Sequence, residues 1–285
     1  MHFLIHFLMK IKKFLSGIKY KLENKERKLI PSNICGVTIK ATLGTVRRAV
    51  DQDDAWFFYL ARHNDVIFDI GCNVGYTALL AMIQNPQRAY ILVDPNPQAL
   101  NEAHFNLTIN NLGYKAQYFS GFVSDNDNSN IKFYTIGSGA AGSMFASHAK
   151  SAAAINSFTE VKTVTLDYLY KLYAMKPDLI KIDVEGAETL VMEGAYNVAN
   201  ETQCAFFIEM HNVEGLGMEQ AGQRILDWCA KVKYKAWYLK KGEELKLAST
   251  IKIRGKCHLL LLPENKTYPE YLNGVEQNEA LPKTL

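Results

Sequence analysis

Two carboxylates and an imidazole that stand at the ends of apolar runs are the side chains of this sequence best suited to chemistry. Residues 179–182, Leu-Ile-Lys-Ile, read as a buried strand, so Lys181 and Asp183 project to one side and Asp183 sits at the carboxyl end, where ligands bind in parallel sheets. Residues 204–208 read as a further buried strand that ends in Glu209-Met-His211, with both polar side chains again on one side. Glu185 and Glu188 follow Asp183 at the expected start of a helix, where a carboxylate caps free N–H groups or, for Glu188, pairs with Lys181. A histidine titrates near neutral pH, so His211 is the natural general base, with Asp183 or Glu209 to orient it. The same three groups would also suit Mg²⁺ or Mn²⁺, which would acidify a bound hydroxyl. A purely structural histidine is the third reading.

A second constellation lies in residues 66–82, VIFDIGCNVGYTALLAM. The run Val66-Ile67-Phe68 reads as a core strand, Gly71 and Gly75 allow close backbone approach, and an apolar helical pattern resumes at Tyr76. Such a strand-turn-helix cradles a cofactor. A dinucleotide fingerprint wants G-x-G-x-x-G, whereas this turn offers Gly71-x-Asn73-x-Gly75. Asp69, two residues before the first glycine, would repel a pyrophosphate and favour a ligand carrying an ammonium and a sulfonium. S-adenosyl-L-methionine is such a ligand. The next strand, residues 90–93, ends in Asp94, placed to take a ribose diol. A third strand at residues 115–120 runs into Gly121-Phe122-Val123-Ser124-Asp125. Phe122 and Asp125 are expected beside the adenine, Asp125 accepting from its amino group or serving as a turn residue.

The elements that must position these groups alternate between strand and helix, which implies a mostly parallel sheet with helices on both faces. The chain has 285 residues and is 48% hydrophobic, enough for one substantial core with additions. A net charge of +3 and the lack of a basic stripe argue against a nucleic-acid partner. Five scattered cysteines without a C-x-x-C pair suggest a reducing, cytoplasmic setting and no zinc site. Residues 1–30 read as a basic amphipathic helix, with apolar positions from Leu4 to Leu22 at helical spacing and five interleaved lysines from Lys10 to Lys21. That segment is too interrupted to span a bilayer and lacks a signal-peptide pattern. It would lie on a membrane surface or dock on protein. Residues 31–64 read as a small cap layer, 65–265 as the Rossmann-like domain and 266–285 as a tail.

The stretch 178–188, DLIKIDVEGAE, with Val164-Thr-Leu-Asp167 before it and Gly194-Ala195 after it, resembles the hallmark of the FkbM-family S-adenosylmethionine-dependent methyltransferases. Residues 68–76, FDIGCNVGY, and 207–211, FIEMH, extend the resemblance over most of 65–211. It implies an α/β class I methyltransferase fold, with a seven-stranded, mostly parallel sheet, helices on both faces and a small N-terminal extension. It also implies O-methylation, often of sugar or polyketide hydroxyls, so the expected partner is a hydroxylated small molecule or glycan acceptor. In the strand order of that fold, 3-2-1-4-5-7-6 with the seventh antiparallel, strands four and five are neighbours. Asp183, Glu209 and His211 would then converge as the catalytic group, with Lys181, Glu185 and Ser143 toward the acceptor. One departure is the small-residue stretch 137–143, read as a substrate lid. Two other classes stay open on the residues alone: a nicotinamide-dependent oxidoreductase, disfavoured by Asp69 and Asn73, and a non-catalytic cofactor-fold module, disfavoured by the carboxylates at strand ends.

Overall fold

The computed structural model describes residues 27–47, 53–136, 142–145, 149–213, 215–275 and 281–284. Most of the amphipathic segment at 1–30 and residues 137–141 of the small-residue stretch therefore lie outside the described residues. No helix among the described residues is long and apolar enough to cross a membrane.

The central sheet is built from β3 (Val66–Ile70), β4 (Ala89–Asp94), β5 (Ala116–Ser120), β9 (Leu179–Ile182), β10 (Ala205–His211), β11 (Tyr234–Tyr238), β12 (Glu243–Glu244) and β13 (Lys256–Pro263). Its order is β12-β11-β13-β10-β9-β3-β4-β5. From β10 through β9, β3 and β4 to β5 every pairing is parallel, whereas β13 is antiparallel to both of its neighbours. This is the 3-2-1-4-5-7-6 order of the class I methyltransferase fold. The sheet has eight strands rather than seven, because two residues of the β11–β13 connection, Glu243 and Glu244, fold back onto β11 as an extra edge. A short 3₁₀ turn at Ala248–Ile251 then completes the link to β13.

Three further strands, β6 (Phe122–Val123), β7 (Asn130–Tyr134) and β8 (Phe158–Val164), form a separate sheet ordered β6-β8-β7. Ahead of the main sheet, β1 (Leu29–Ile34) and β2 (Val37–Thr42) form an antiparallel hairpin. The hairpin is tied to α3 (Pro97–Thr108) and the turn after it, because Asn106 and Asn110 accept from the N–H groups of Thr42 and Lys40. The described end of the tail returns to the hairpin, where Thr284 N–H donates to the Cys35 carbonyl at 2.8 Å.

Strand alternation divides the main sheet into two faces. Phe68, Ile180, Phe206, Ile208 and Leu259 belong to one buried cluster, closed by α8 (Met218–Val232) through Ile225 and Trp228. Ile67, Tyr90, Leu179, Phe207 and Leu260 belong to the other, covered by α1 (Asp54–Arg62) and α2 (Tyr76–Met82). Both faces are covered, so the strands are near-continuous apolar runs. Alternation carries the second face on to Asp69, Lys181, Glu209 and His258, all buried. The polar residues that matter are thus the upper end of a hydrophobic face.

Candidate active site

The cleft opens at the carboxyl ends of β3, β4 and β9 and has a volume of about 260 Å³. Gly71, Asn73, Asp94, Phe122, Asp183 and Glu185 are among the residues that line it. Gly71 sits at φ +83°, and a Cβ there would lie 1.8 Å from the Asp183 carbonyl oxygen, so the turn crosses the end of β9 in backbone contact. Gly75, also at φ +83°, lets α2 rest on Ala103 of α3, where a Cβ would come within 2.8 Å of the alanine methyl. Asp94 accepts from the N–H groups of Asn73 at 2.9 Å and Asn96 at 2.8 Å, which ties the turn to β4 and leaves its remaining lone pairs toward the cleft. Burial, opposed by those two hydrogen bonds, pushes the Asp94 carboxyl up to about 6. Asn73 Oδ1 is buried without a hydrogen-bond partner among the described residues. A carboxylate at a strand end, an unsatisfied amide oxygen and a backbone cradle that excludes Cβ suit an adenosine-bearing cation.

Asp69 does not line the cleft. Its side chain is fully buried, accepts from Thr77 Oγ1 at 2.6 Å and Tyr90 Oη at 2.9 Å, and lies 3.5 Å from Lys181 Nζ. Lys181 in turn lies 3.5 Å from Asp183 Oδ2. An unpaired buried ammonium would cost several kcal/mol, so Asp69 and Asp183 together balance Lys181. Burial alone would lower the Lys181 pKa, but these two carboxylates outweigh it and hold the ammonium charged. The expectation that Asp69 meets the cofactor's positive charge is therefore corrected: that charge is already matched inside the sheet. Lys181 borders the cleft, with its ammonium engaged by the same two acids.

The parallel register that sets Ile182 opposite Ile208 brings the next residue, Asp183, beside Glu209. Ligand atoms of Asp183, Glu209 and His211 all lie within 4.8 Å of one another. Of the three, Asp183 lines the cleft, and Glu209 and His211 stand behind it. The antiparallel register pairs Glu209 with His258 and His211 with Lys256 across β10 and β13. Glu209 Oε1 is bound by the Lys256 ammonium, and Oε2 lies 3.5 Å from His258 Nε2.

His211 is oriented by Glu188 rather than by Asp183 or Glu209. Its Nδ1 lies 2.9 Å from Glu188 Oε1, an oxygen that also accepts from the Gly186 N–H. Glu188 is buried at the first turn of α6 (Glu188–Glu193) and does not pair with Lys181. Glu185 precedes this helix in a left-handed turn, φ +53°, and its Oε2 lies 3.5 Å from His211 Nε2. Burial opposes the imidazolium, but the Glu188 hydrogen bond and the charges of Glu188, Asp183 and Glu185 prevail and raise His211 to about 10. Without a ligand, His211 is thus a cation at neutral pH and not the free base expected from its residue type. Burial and the Glu209 charge, against Lys181 and His211, raise Asp183 well above the usual carboxylate range. Burial would raise Glu209 as well, but His258, Lys256 and His211 hold it well below that range.

A folded-state pKa above the ordinary 6.5 makes His211 stabilising below pH 6.5, and that contribution fades as pH rises through about 10. We expect the melting temperature of the wild type to exceed that of His211→Gln most at pH 6.5 and the gap to close toward pH 10. A gap independent of pH would mean that the imidazole is neutral throughout.

Two other expected contacts are corrected. Asp125 is exposed and its Oδ1 accepts from Ser124 Oγ and Asn126 Nδ2, so it is a turn residue outside the cleft. Ser143 is buried, donates through Oγ to the Glu185 carbonyl at 2.8 Å and accepts from the Phe145 N–H at 3.0 Å. It fastens its segment to the Glu185 turn rather than facing an acceptor, while its neighbour Gly142 lines the cleft. The sequence reading missed Asp53, Arg47, Lys256 and His258. Arg47 Nη1 reaches Asp53 and Asp54 at 3.2 Å each, and Trp56 of α1 lies on the His258 ring at 5.3 Å. None of these follows from local spacing. Only the lysine and histidine of β13, alternating on one side of the strand, carried a signal.

The family model described as the methyltransferase FkbM domain matches residues 69–236. Among solved structures, the chain is similar to methyltransferase FkbM from Methylobacillus flagellatus KT, at 12% identity and a TM-score of 0.44, over 69% of this chain and 43% of that one. The chain thus spans less than half the length of that protein. It is also similar to cofactor-bound Rv0187 from MTB, at 16% identity and a TM-score of 0.45, over 78% and 84% of the two chains. A third similar structure is TYW2 of M. jannaschii in complex with AdoMet, at 11% identity and a TM-score of 0.43, over 83% and 85%. No curated protein matches the chain.

Proposed function

The chain belongs to the FkbM methyltransferase family and is an S-adenosylmethionine-dependent methyltransferase, and from that premise we propose that it methylates a hydroxyl oxygen of a sugar, glycan or similar small-molecule acceptor. The nicotinamide and non-catalytic readings are thereby set aside. The observation that carries the proposal is the buried acid–imidazole group at the ends of β9 and β10, with Asp183 at the cleft wall. An amine acceptor that loses its proton in water needs no such base, whereas a hydroxyl does.

The bound cofactor supplies an electrophilic methyl group, and alignment is the protein's main contribution. Gly71, Asn73 and Gly75 shape the cradle, and Asp94 offers a carboxylate to a diol. Asp183 Oδ accepts the acceptor's proton, because a carboxylate raised toward neutrality is both ionised and basic enough. His211, fixed through Nδ1 by Glu188, is a positioning residue whose positive charge keeps Asp183 ionised between turnovers. Lys181 does the same from the opposite side.

A second reading places Mg²⁺ or Mn²⁺ at Asp183, Glu209 and His211. It is favoured by the Glu188 bond to Nδ1, an outer carboxylate partner of the kind that orients metal-bound histidines, and by Nε2 facing the carboxylates of Glu185 and Glu209. Methyl-labelled S-adenosylmethionine incubated with the full chain and a panel of hydroxylated acceptors tests both. We expect label on oxygen, with transfer that survives EDTA under the first reading and stops under the second. Label found on nitrogen or carbon would overturn the hydroxyl proposal.

A further inference from the structure

We propose that Asp53, Glu209 and His258 form a second cation site beneath the acceptor end of the cleft, one that takes a divalent transition ion of the Mn²⁺ or Zn²⁺ class. This goes beyond the acceptor chemistry and does not depend on it. The three side chains are buried, and a ligand atom from each lies within 4.8 Å of the others. Three ligands about 2.1 Å from one cation stand about 3.0–3.6 Å from one another, so side-chain shifts of up to about an ångström close the site.

One of its atoms points to a missing partner. Among the described residues Asp53 Oδ2 has no hydrogen bond, although Asp53 is 1% exposed, and the nearby His258 Nε2 faces Glu209 Oε2 at a long 3.5 Å. Buried polar atoms are rarely left so. Asp53 stands at the N-cap position of α1, where an aspartate commonly bonds a free N–H, yet its side chain makes no capping bond there. Its Oδ1 is held by Arg47, as Oε1 of Glu209 is held by Lys256, so each carboxylate has one oxygen fixed by a cation, and the other oxygen of Glu209 lies 3.5 Å from His258 Nε2. Such outer partners orient metal ligands. Trp56 and Phe207 lie on the His258 ring, at centroid distances of 5.3 and 5.9 Å, and set its plane.

The charge balance agrees. The seven acids paired with Arg47, Lys181, Lys256 and the His211 imidazolium, which are Asp53, Asp54, Asp69, Asp183, Glu185, Glu188 and Glu209, outnumber those four cations, a surplus that a dication reduces. Two oxygens and one imidazole nitrogen suit Mn²⁺ or Zn²⁺ better than Mg²⁺, which prefers oxygen alone. Glu209 belongs to both this group and the one at the cleft wall, so an ion here fixes the carboxylate beside Asp183 and His211.

The test is a titration of EDTA-stripped full-length protein with MnCl₂, followed by electron paramagnetic resonance and by electron spin-echo detection of coupled ¹⁴N. We expect bound Mn²⁺ coupled to an imidazole nitrogen, with affinity at least tenfold weaker in Asp53→Asn and in His258→Gln. The nitrogen coupling should disappear in His258→Gln and persist in His211→Gln, a comparison that holds even if Asp53→Asn does not fold. Loss of the coupling in His211→Gln with retention in His258→Gln would assign the ion to the cleft wall and overturn the proposal. Absence of bound Mn²⁺ in the wild type, with Zn²⁺ also failing to raise the melting temperature, would overturn it as well.

Discussion

Asp183→Asn should lower kcat by about 10²- to 10⁴-fold while leaving S-adenosylhomocysteine affinity within a few-fold of the wild type. An amide keeps the shape of the side chain and its place beside Lys181, but it cannot take a proton. In the wild type the same group predicts an acid limb in the rate. Its pKa is raised by burial and by the Glu209 charge, so activity falls as pH drops through that raised value and the carboxylate is neutralised. The variant should lose this limb. The measurement is kcat against pH on the acceptor found by label transfer, with calorimetry for the cofactor product. A variant within threefold of wild-type turnover would remove Asp183 as the base and leave the site to alignment alone.

Gly71→Ala should abolish cofactor binding and destabilise the fold by more than about 2 kcal/mol, the combined effect of a left-handed residue gaining a Cβ and of overpacking. The contact is with backbone: the new methyl would lie 1.8 Å from the Asp183 carbonyl oxygen, which no rotamer change relieves. Either the turn lifts from the cleft or the end of β9 moves, and both displace Asp183. Urea denaturation and S-adenosylhomocysteine calorimetry check the two halves separately. Wild-type values for both would show that the turn is not packed against β9 as described. Gly75→Ala makes a useful comparison, because it too puts a Cβ on a left-handed residue, but against the methyl and Cα of Ala103 in α3 at 2.8 and 3.0 Å and away from Asp183.

His211 and Asp183 exchanged roles between sequence and structure for an electrostatic reason. An isolated histidine titrates near neutrality, and an isolated aspartate far below it. Glu188, Asp183 and Glu185 around one ring make the imidazole the charged member, while burial and the Glu209 charge raise the aspartate, which is why Asp183 is the proposed proton acceptor. Asp69 went the other way, from cofactor contact to counter-ion, once Lys181 was found between it and Asp183.

The sequence by itself determined whatever depends on near neighbours. The apolar runs of β3, β4, β9 and β10, the glycine-rich turn and the placement of Asp183, Glu209 and His211 on one side of their strands all follow from a period of two and from the conformational freedom of glycine. The parallel order of the sheet followed from strand–helix alternation together with the family resemblance. Only the tertiary structure decided which charges meet. The β10–β13 register put Lys256 and His258 beside Glu209, and the packing of Trp56 on His258 brought Asp53 over the sheet. The turn before α6 delivered Glu188 to His211. These partners are remote or out of phase along the chain. Burial sets the strength of their interaction, because in a low-dielectric interior a few ångströms decide which group holds the proton.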